Sequence, residues 1–249
     1  METIEYEIKG RVAWTWLNRP RWLNAIDWTT LAELRQVFEM LDDEENVGAI
    51  VIAGRGPAFS AGFDIAWMAG QGSETMVEGL GTVEAVYDAI EACAKPVVAA
   101  VHGAVMGGGL LLALVADLRL AAEAVSFGAP EVKIGIFPSL NLIPRLTRTV
   151  GLAAAKRIVL TGEPLDAGEA LRIGLVERVV SEEVLHAEAQ ALAQHLAGLP
   201  AFALHKAKAA FAAAREPDFA TWEREQFAAC WMRPERDAAM RAFLQSRRK

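Results

Sequence analysis

The sequence predicts a layered α/β body followed by a helical C-terminal region. Three observations predict it: short alternating or wholly apolar runs that read as strands, helical apolar spacing between those runs, and a turn to Ala-rich helical periodicity from about residue 146 onward. With 249 residues, 53% of them hydrophobic and 23% charged, the chain is long enough for one sizeable core and a smaller appended subdomain.

Residues 4–8 and 12–16 alternate around Lys9-Gly10, the pattern of a hairpin with one buried face. After Asn18-Arg19-Pro20, Thr29 or Thr30 is expected to cap a helix that carries Leu31, Leu34, Val37, Phe38 and Leu41 at helical spacing. Residues 49–53 read as a buried strand. The order then recurs, with a helix at 82–94, a strand at 96–100, a helix opening at a glycine triplet, and strands at 117–121 and 125–127. Beyond them, helices are expected at 151–160, 166–172, 182–197, 200–214, 219–230 and 234–246, punctuated by Gly or Pro, with 175–180 as a late strand. This divides the chain into a core, 1–195, and a helical C-terminal subdomain, 196–249. Phe202, Phe211, Phe219, Trp222, Phe227, Trp231 and Phe243 are more aromatics than a short appendage buries alone, so they are expected to pack on the body or on a neighbouring subunit.

Composition narrows the function. The formal net charge is −7 and the basic cluster at Arg247-Arg248-Lys249 is terminal, which argues against nucleic acid as a partner. The acidic opening runs directly into a strand pattern without a secretory or transit signature, so the cytoplasm is the expected address. The most apolar stretch, 96–116, is interrupted by His102 and four glycines and reads as core, not as a membrane span. Cys93 and Cys230 lack ligand spacing, so both are expected to be buried small hydrophobes, with no metal site and no disulfide framework.

Chemistry concentrates in two glycine-bearing turns and one acid. The turns are Phe59-Ser60-Ala61-Gly62-Phe63-Asp64 and Gly103-Ala104-Val105-Met106-Gly107-Gly108-Gly109; the acid is Glu131 in Phe127-Gly128-Ala129-Pro130-Glu131. Two loops that aim backbone N–H groups at one oxygen, beside one carboxylate, suit proton abstraction next to a carbonyl. Asp64 sits where a helix begins, either as a simple N-cap or as a cap that turns the Ala61 N–H outward. Neither turn is a nucleotide fingerprint or a nucleophile elbow. His102 reads as structural, and His186, His195 and His205 as surface or interface residues on helices.

The ordered series of motifs resembles the enoyl-CoA hydratase/isomerase, or crotonase, superfamily over nearly the whole chain. The matching stretches are Leu17-Asn18-Arg19-Pro20 with Asn24-Ala25, the two turns, Lys95-Pro96-Val97-Val98-Ala99-Ala100-Val101-His102-Gly103, Ala116-Asp117-Leu118-Arg119 and the Glu131 segment. Gly135-Ile136-Phe137-Pro138, Arg145-Leu146, Leu160-Thr161-Gly162 and Gly174-Leu175-Val176 continue the series. The resemblance implies a spiral of strand–strand–helix turns and a C-terminal helical region that packs trimers, often paired into hexamers. It implies an acyl-CoA thioester substrate, with coenzyme A as part of the substrate and no separate cofactor. By position, the Ala61 and Gly108 amides would hold the enolate oxygen, and Ala61, Gly62, Phe63 and Asp64 would line the CoA entrance. Arg19 and Arg21 are either partners of CoA phosphates or exposed loop charges.

Hydratases resembling this chain carry a glutamate on the helix after the glycine triplet and a second that matches Glu131; at the first position this sequence has Leu111. Water addition uses two carboxylates around one water, whereas moving a double bond needs one carboxylate. Isomerisation of a 3-enoyl-CoA to a 2-enoyl-CoA is therefore the preferred reading, with hydration as the alternative. A non-catalytic acyl-CoA-binding or assembly subunit and another enolate reaction, in which Tyr87 could take part, stay open. Pro138-Ser139-Leu140-Asn141-Leu142 replaces a glycine-rich run, so Ser139, Leu140 and Asn141 are expected at the pocket wall, the polar two either as partners of the reacting carbons or as packing and capping residues. Trp67 either narrows the acyl pocket or is core.

Overall fold

The computed structural model describes residues 1–213. The expected helices at 219–230 and 234–246, Cys230 and the aromatics from Phe219 onward lie outside the described residues.

Six strands form the main sheet in the order β1-β2-β3-β4-β6-β9: β1 (Ile4–Lys9), β2 (Val12–Leu17), β3 (Ala49–Gly54), β4 (Val97–Val101), β6 (Leu118–Ala122) and β9 (Arg178–Val180). The first pair is the expected antiparallel hairpin, in register from Ile4 opposite Leu17 to Lys9 opposite Val12; every later pair is parallel. The expected single buried face is not formed: in the edge strand β1, Ile4 is buried but Tyr6 and Ile8 are 45% and 44% exposed. Because β2 lies between two strands with cover on both sides, all its residues are buried. Ala13 and Leu17 join one core, and Trp14 and Trp16 join another.

A second sheet, β5-β7-β8, is built from β5 (Ala104–Met106), β7 (Ser126–Gly128) and β8 (Leu165–Asp166). Ser60 pairs with Val105 and extends this row. The chain therefore passes from a main-sheet strand to a second-sheet strand and then to a helix, as in β4, β5 and α4 (Gly108–Val115). That is the strand–strand–helix repeat the sequence implied.

Helices α1 (Trp28–Asp43), α3 (Ser73–Ala92), α4 and α5 (Leu142–Thr161) enclose the larger core. The cap of α1 is Asp27, not Thr29 or Thr30: its carboxylate accepts from the Thr30 N–H and hydroxyl, both at 2.9 Å. An ionised acceptor outcompetes a hydroxyl for that amide. Helix α3 starts earlier than residue 82. Gly79 hid its apolar spacing, and a Cβ there would lie 2.8 Å from the Trp28 ring. Helix α5 likewise precedes residue 151, because Pro144 falls in a first turn, where proline is tolerated. It kinks at Gly151, whose φ of 78° only glycine adopts easily.

On the other sheet face, α7 (Glu182–Ala197) lays Leu185, Ala189, Ala193 and Ala197 against Ala49, Val51, Ala53, Val98 and Ala100. Small residues on both sides let helix and sheet approach closely; a Cβ on Gly48 would lie 2.9 Å from that of Ala197. The boundary read between residues 195 and 196 falls inside the last turn of α7. The break comes at Gly198-Leu199-Pro200, where proline and glycine end one helix before α8 (Ala201–Ala213). Lys208 fastens α8 to the body, reaching Asp117 at 2.7 Å and the Lys95 carbonyl at 2.9 Å. Among the described residues no helix is long and apolar enough to cross a membrane.

Candidate active site

The first turn leaves β3 and is organised by a buried asparagine. Asn24 donates to the Arg55 carbonyl at 2.9 Å and the Ala58 carbonyl at 2.8 Å, and accepts from the Arg19 N–H at 2.8 Å. Ser60, fully buried, donates to the Asn24 carbonyl at 2.8 Å and accepts from the Gly62 N–H at 3.2 Å. The Ala61 amide does not face outward: it donates to the Leu23 carbonyl at 2.9 Å and is already used. Next, the Gly62 carbonyl accepts from Ile26 at 2.8 Å and the Asp64 amide donates back to the Ile26 carbonyl at 2.9 Å. Between those two bonds, the Phe63 amide has no acceptor among the described residues, and Phe63 lines the main cavity. In the parallel bridge between Ile26 and Phe63 the bonds are made by the flanking Gly62 carbonyl and Asp64 amide, so the Phe63 amide itself points away from the 23–26 segment.

Asp64 caps α2 (Ile65–Ala69) as expected, accepting from the Trp67 N–H at 3.1 Å. Arg19 is held by protein partners. Its guanidinium bridges Asp27 and Asp64, each at 3.2 Å, and donates to the Ala25 carbonyl at 2.6 Å. Arg21 is exposed and lies outside the cavity lining.

The second turn meets the first. Gly107 has φ 49° and ψ −116°, and its amide donates to the Gly128 carbonyl at 2.9 Å. Gly108 opens α4, where the leading amides have no intrahelical acceptor. A Cβ on Gly62 would come within 3.3 Å of the Gly108 nitrogen, and one on Gly108 would strike the Phe63 ring at 2.8 Å. The open amides of Phe63 and Gly108 are thus neighbours.

Glu131 sits on a 3₁₀ turn (Pro130–Ile134) directly after β7. Its Oε1 lies 2.8 Å from where a Gly107 Cβ would be, and its Oε2 is buried with no partner among the described residues. Burial raises its pKa above the ordinary 4.5, opposed by a weaker hydrogen bond from its own backbone.

These groups share one cavity with a largely apolar wall: Ile65, Trp67, Met68, Leu80, Val83, Leu111, Ile134, Ile136, Phe137, Leu140 and Leu142. Ala61, Gly62, Phe63, Gly108, Trp67, Leu111, Glu131, Ser139 and Leu140 all line it; Asn141 and Asp64 do not. The Asn141 side chain turns away to Glu84 of α3. Trp67 is backed edge-on by Trp28, with centroids 5.2 Å apart. Leu140 and Asn141 hold φ near 58° and 57°, a conformation rare outside glycine. Arg145 fixes this bend: nearly buried, it donates to the Leu140 carbonyl at 2.9 Å and pairs with Asp88 at 2.5 Å and Glu91 at 2.6 Å.

The structure adds three residues that the sequence did not assign to the site: Asn24, Arg145 and, for its amide, Phe63. All three lie within motifs read from the sequence, but their roles depend on contacts with residues distant in the chain. His102 is structural, bound through Nε2 to the Gly56 carbonyl at 2.8 Å. Burial pushes the Cys93 thiol up to about 12, with the nearby Asp42 acting in the same sense, so it stays an inert thiol.

The enoyl-CoA hydratase/isomerase family profile matches residues 7–248. A probable enoyl-CoA hydratase of Mycobacterium tuberculosis is 37% identical over 99% of this chain and 96% of its own length. A crotonyl-CoA hydratase of Syntrophomonas wolfei is 35% identical over 99% and 96%. Among solved structures, an enoyl-CoA hydratase subunit of Geobacillus kaustophilus superimposes with a TM-score of 0.92 at 37% identity, over 98% of this chain and 95% of that one. DspI of Pseudomonas aeruginosa superimposes with a TM-score of 0.93 at 32% identity, over 99% and 95%. With its sequence matched end to end and its fold matched at this level, the chain belongs to the enoyl-CoA hydratase/isomerase family.

Proposed function

We propose that this protein moves a double bond, converting a 3-enoyl-CoA to the conjugated 2-enoyl-CoA with Glu131 as the only proton carrier. The observation that carries the reading is that, among the described residues, Glu131 is the one titratable side chain lining the cavity, which Leu111 of α4 also lines. The Glu131 carboxylate takes a proton from the α carbon, and the electrons of that C–H bond spread over the thioester carbonyl on one side, as an enolate, and over the double bond to the γ carbon on the other. The same carboxylic acid then returns the proton at the γ carbon, leaving the double bond between the α and β carbons.

The oxygen's negative charge falls to the Gly108 and Phe63 amides, Phe63 replacing Ala61, whose N–H is bonded to Leu23. Desolvation makes Glu131 a stronger base than an exposed carboxylate, which suits proton transfer from carbon. Among the described residues the wall around this one carboxylate offers no second acid to hold a water.

Coenzyme A enters as part of the substrate, with no separate cofactor. Assembly into trimers or hexamers through the C-terminal region, 196–249, belongs to the same proposal. Hydration is the second reading, favoured by the hydratase names of the relatives.

Glu131→Gln tests the assignment. The variant is expected to lose about 10²-fold or more in kcat while still binding CoA esters. Unchanged turnover would remove Glu131 from the chemistry, and absence of turnover in the unaltered protein with every enoyl-CoA tried would favour a binding subunit.

A further inference from the structure

The two amides proposed to hold the thioester oxygen are set on unequal supports. The Phe63 amide is fixed by the pairing of its neighbours with Ile26. Gly108 opens α4 within a run of three glycines; its N–H belongs to the Gly107–Gly108 peptide, whose carbonyl accepts from the Leu111 N–H at 2.9 Å, and the next peptide carries the Gly108 carbonyl. Among the described residues, one side chain makes a hydrogen bond to this run. Tyr87, on α3 and fully buried, donates its hydroxyl to the Gly108 carbonyl at 3.2 Å.

The same ring meets the other donor: Tyr87 packs edge-on against Phe63, with centroids 6.4 Å apart and planes at 79°. The Phe63 ring in turn covers Gly108 so closely that a Cβ there would collide. Burial holds the phenol far above its ordinary pKa, against a smaller opposing effect of Arg145, so the hydroxyl stays a donor. Glu84, Asp88 and Glu91 of the same helix reach Asn141 and Arg145, which anchors this face of α3 to the pocket wall. Spacings of three and four residues place all four side chains on one helix face.

We infer that Tyr87 is a positioning residue for the thioester site, holding the adjoining Gly108–Gly109 peptide at the start of α4 and the Phe63 ring so that both open amides converge on one oxygen. The inference rests on the proposed function, and the test separates the two.

Glu131→Gln protein, with and without Tyr87→Phe, is loaded with a 2-enoyl-CoA labelled with ¹³C at the thioester carbonyl, and the carbonyl stretch is followed by infrared difference spectroscopy. The single variant is expected to shift the stretch to lower frequency on binding, and adding Tyr87→Phe to reverse a large part of that shift with CoA-ester affinity changed less than threefold. In the Glu131 background, Tyr87→Phe should lower kcat about tenfold with KM little changed, less than the loss from deleting an oxyanion donor. An undiminished shift in the double variant would overturn the role of Tyr87 and leave the two amides standing. No shift in the Glu131→Gln protein would overturn the amide pair and with it this inference. If Tyr87→Phe does not fold, fluorotyrosine can replace both tyrosines, of which Tyr6 is 45% exposed. A changed donor strength should then move the bound carbonyl frequency, and an unmoved frequency would overturn the proposal.

Discussion

At the scale of single residues, the site depends on where one carboxylate is placed. Glu131 has one oxygen against Gly107 and the other buried with no partner among the described residues, and its pKa is raised by desolvation. A carboxyl whose folded pKa exceeds its unfolded one binds more protons when folded. Its presence therefore lowers stability as pH rises from the ordinary 4.5 through the folded value, and the full cost persists above that. Glu131→Gln is accordingly expected to raise the melting temperature at pH 8 by more than it does at pH 5, measured by calorimetry. An equal change at both would contradict the raised pKa. The raised pKa also sets the sign for activity, because the base must be ionised: kcat/KM should rise with pH along a limb whose midpoint lies above 4.5.

Which amide is open was not legible in the sequence, and the reason is local. Ala61 and Phe63 are both in the recognised turn, but the choice between them is made by Leu23 and Ile26, which are paired with it through space. The partners of Arg19 are set through space in the same way. Its sequence neighbours suggest an exposed loop, yet Asp27 and Asp64 converge on it from two different elements.

At the scale of elements, the active site is a seam between two turns held at the ends of β3 and β4. Gly107 is the hinge of that seam, since its backbone angles are ones a side-chain-bearing residue rarely adopts and its missing Cβ gives Glu131 its room. Gly107→Ala should cost about 1–3 kcal/mol of stability through backbone strain. It should also lower turnover at least tenfold, read from denaturant midpoints and initial rates on the same preparations. Retained turnover would mean that the carboxylate position tolerates a methyl group at 2.8 Å and that the geometry is looser than described. The strands of this scaffold were legible because each is a short apolar run with turn residues beside it. The starts of α3 and α5 were not, because Gly79 is present to admit Trp28 and Pro144 sits in a tolerated position. Both look like helix breakers until the packing around them is known.

At the scale of the whole molecule, the ordered motifs carried the family, and one departure from them carried the chemistry. Leu111 is 1% exposed, sits one turn from the glycine triplet and lines the cavity where water addition would want a second acid. The fold surrounds that position with apolar side chains from α2, α3, α4 and α5 and from the Glu131 turn, so the single-carboxylate reading rests on the whole wall and not on one substitution. The relatives' hydratase names pull the other way, and fold alone does not decide between the two reactions.

The most direct test is to give the pure protein a 3-enoyl-CoA and, separately, a 2-enoyl-CoA, following conjugation by absorbance and 3-hydroxyacyl-CoA by mass. Conjugation of the first with little hydration of the second is the predicted result. Rapid hydration of the second would contradict the account, because a water would then be held and activated in a cavity where Glu131 is the one titratable side chain among the described residues.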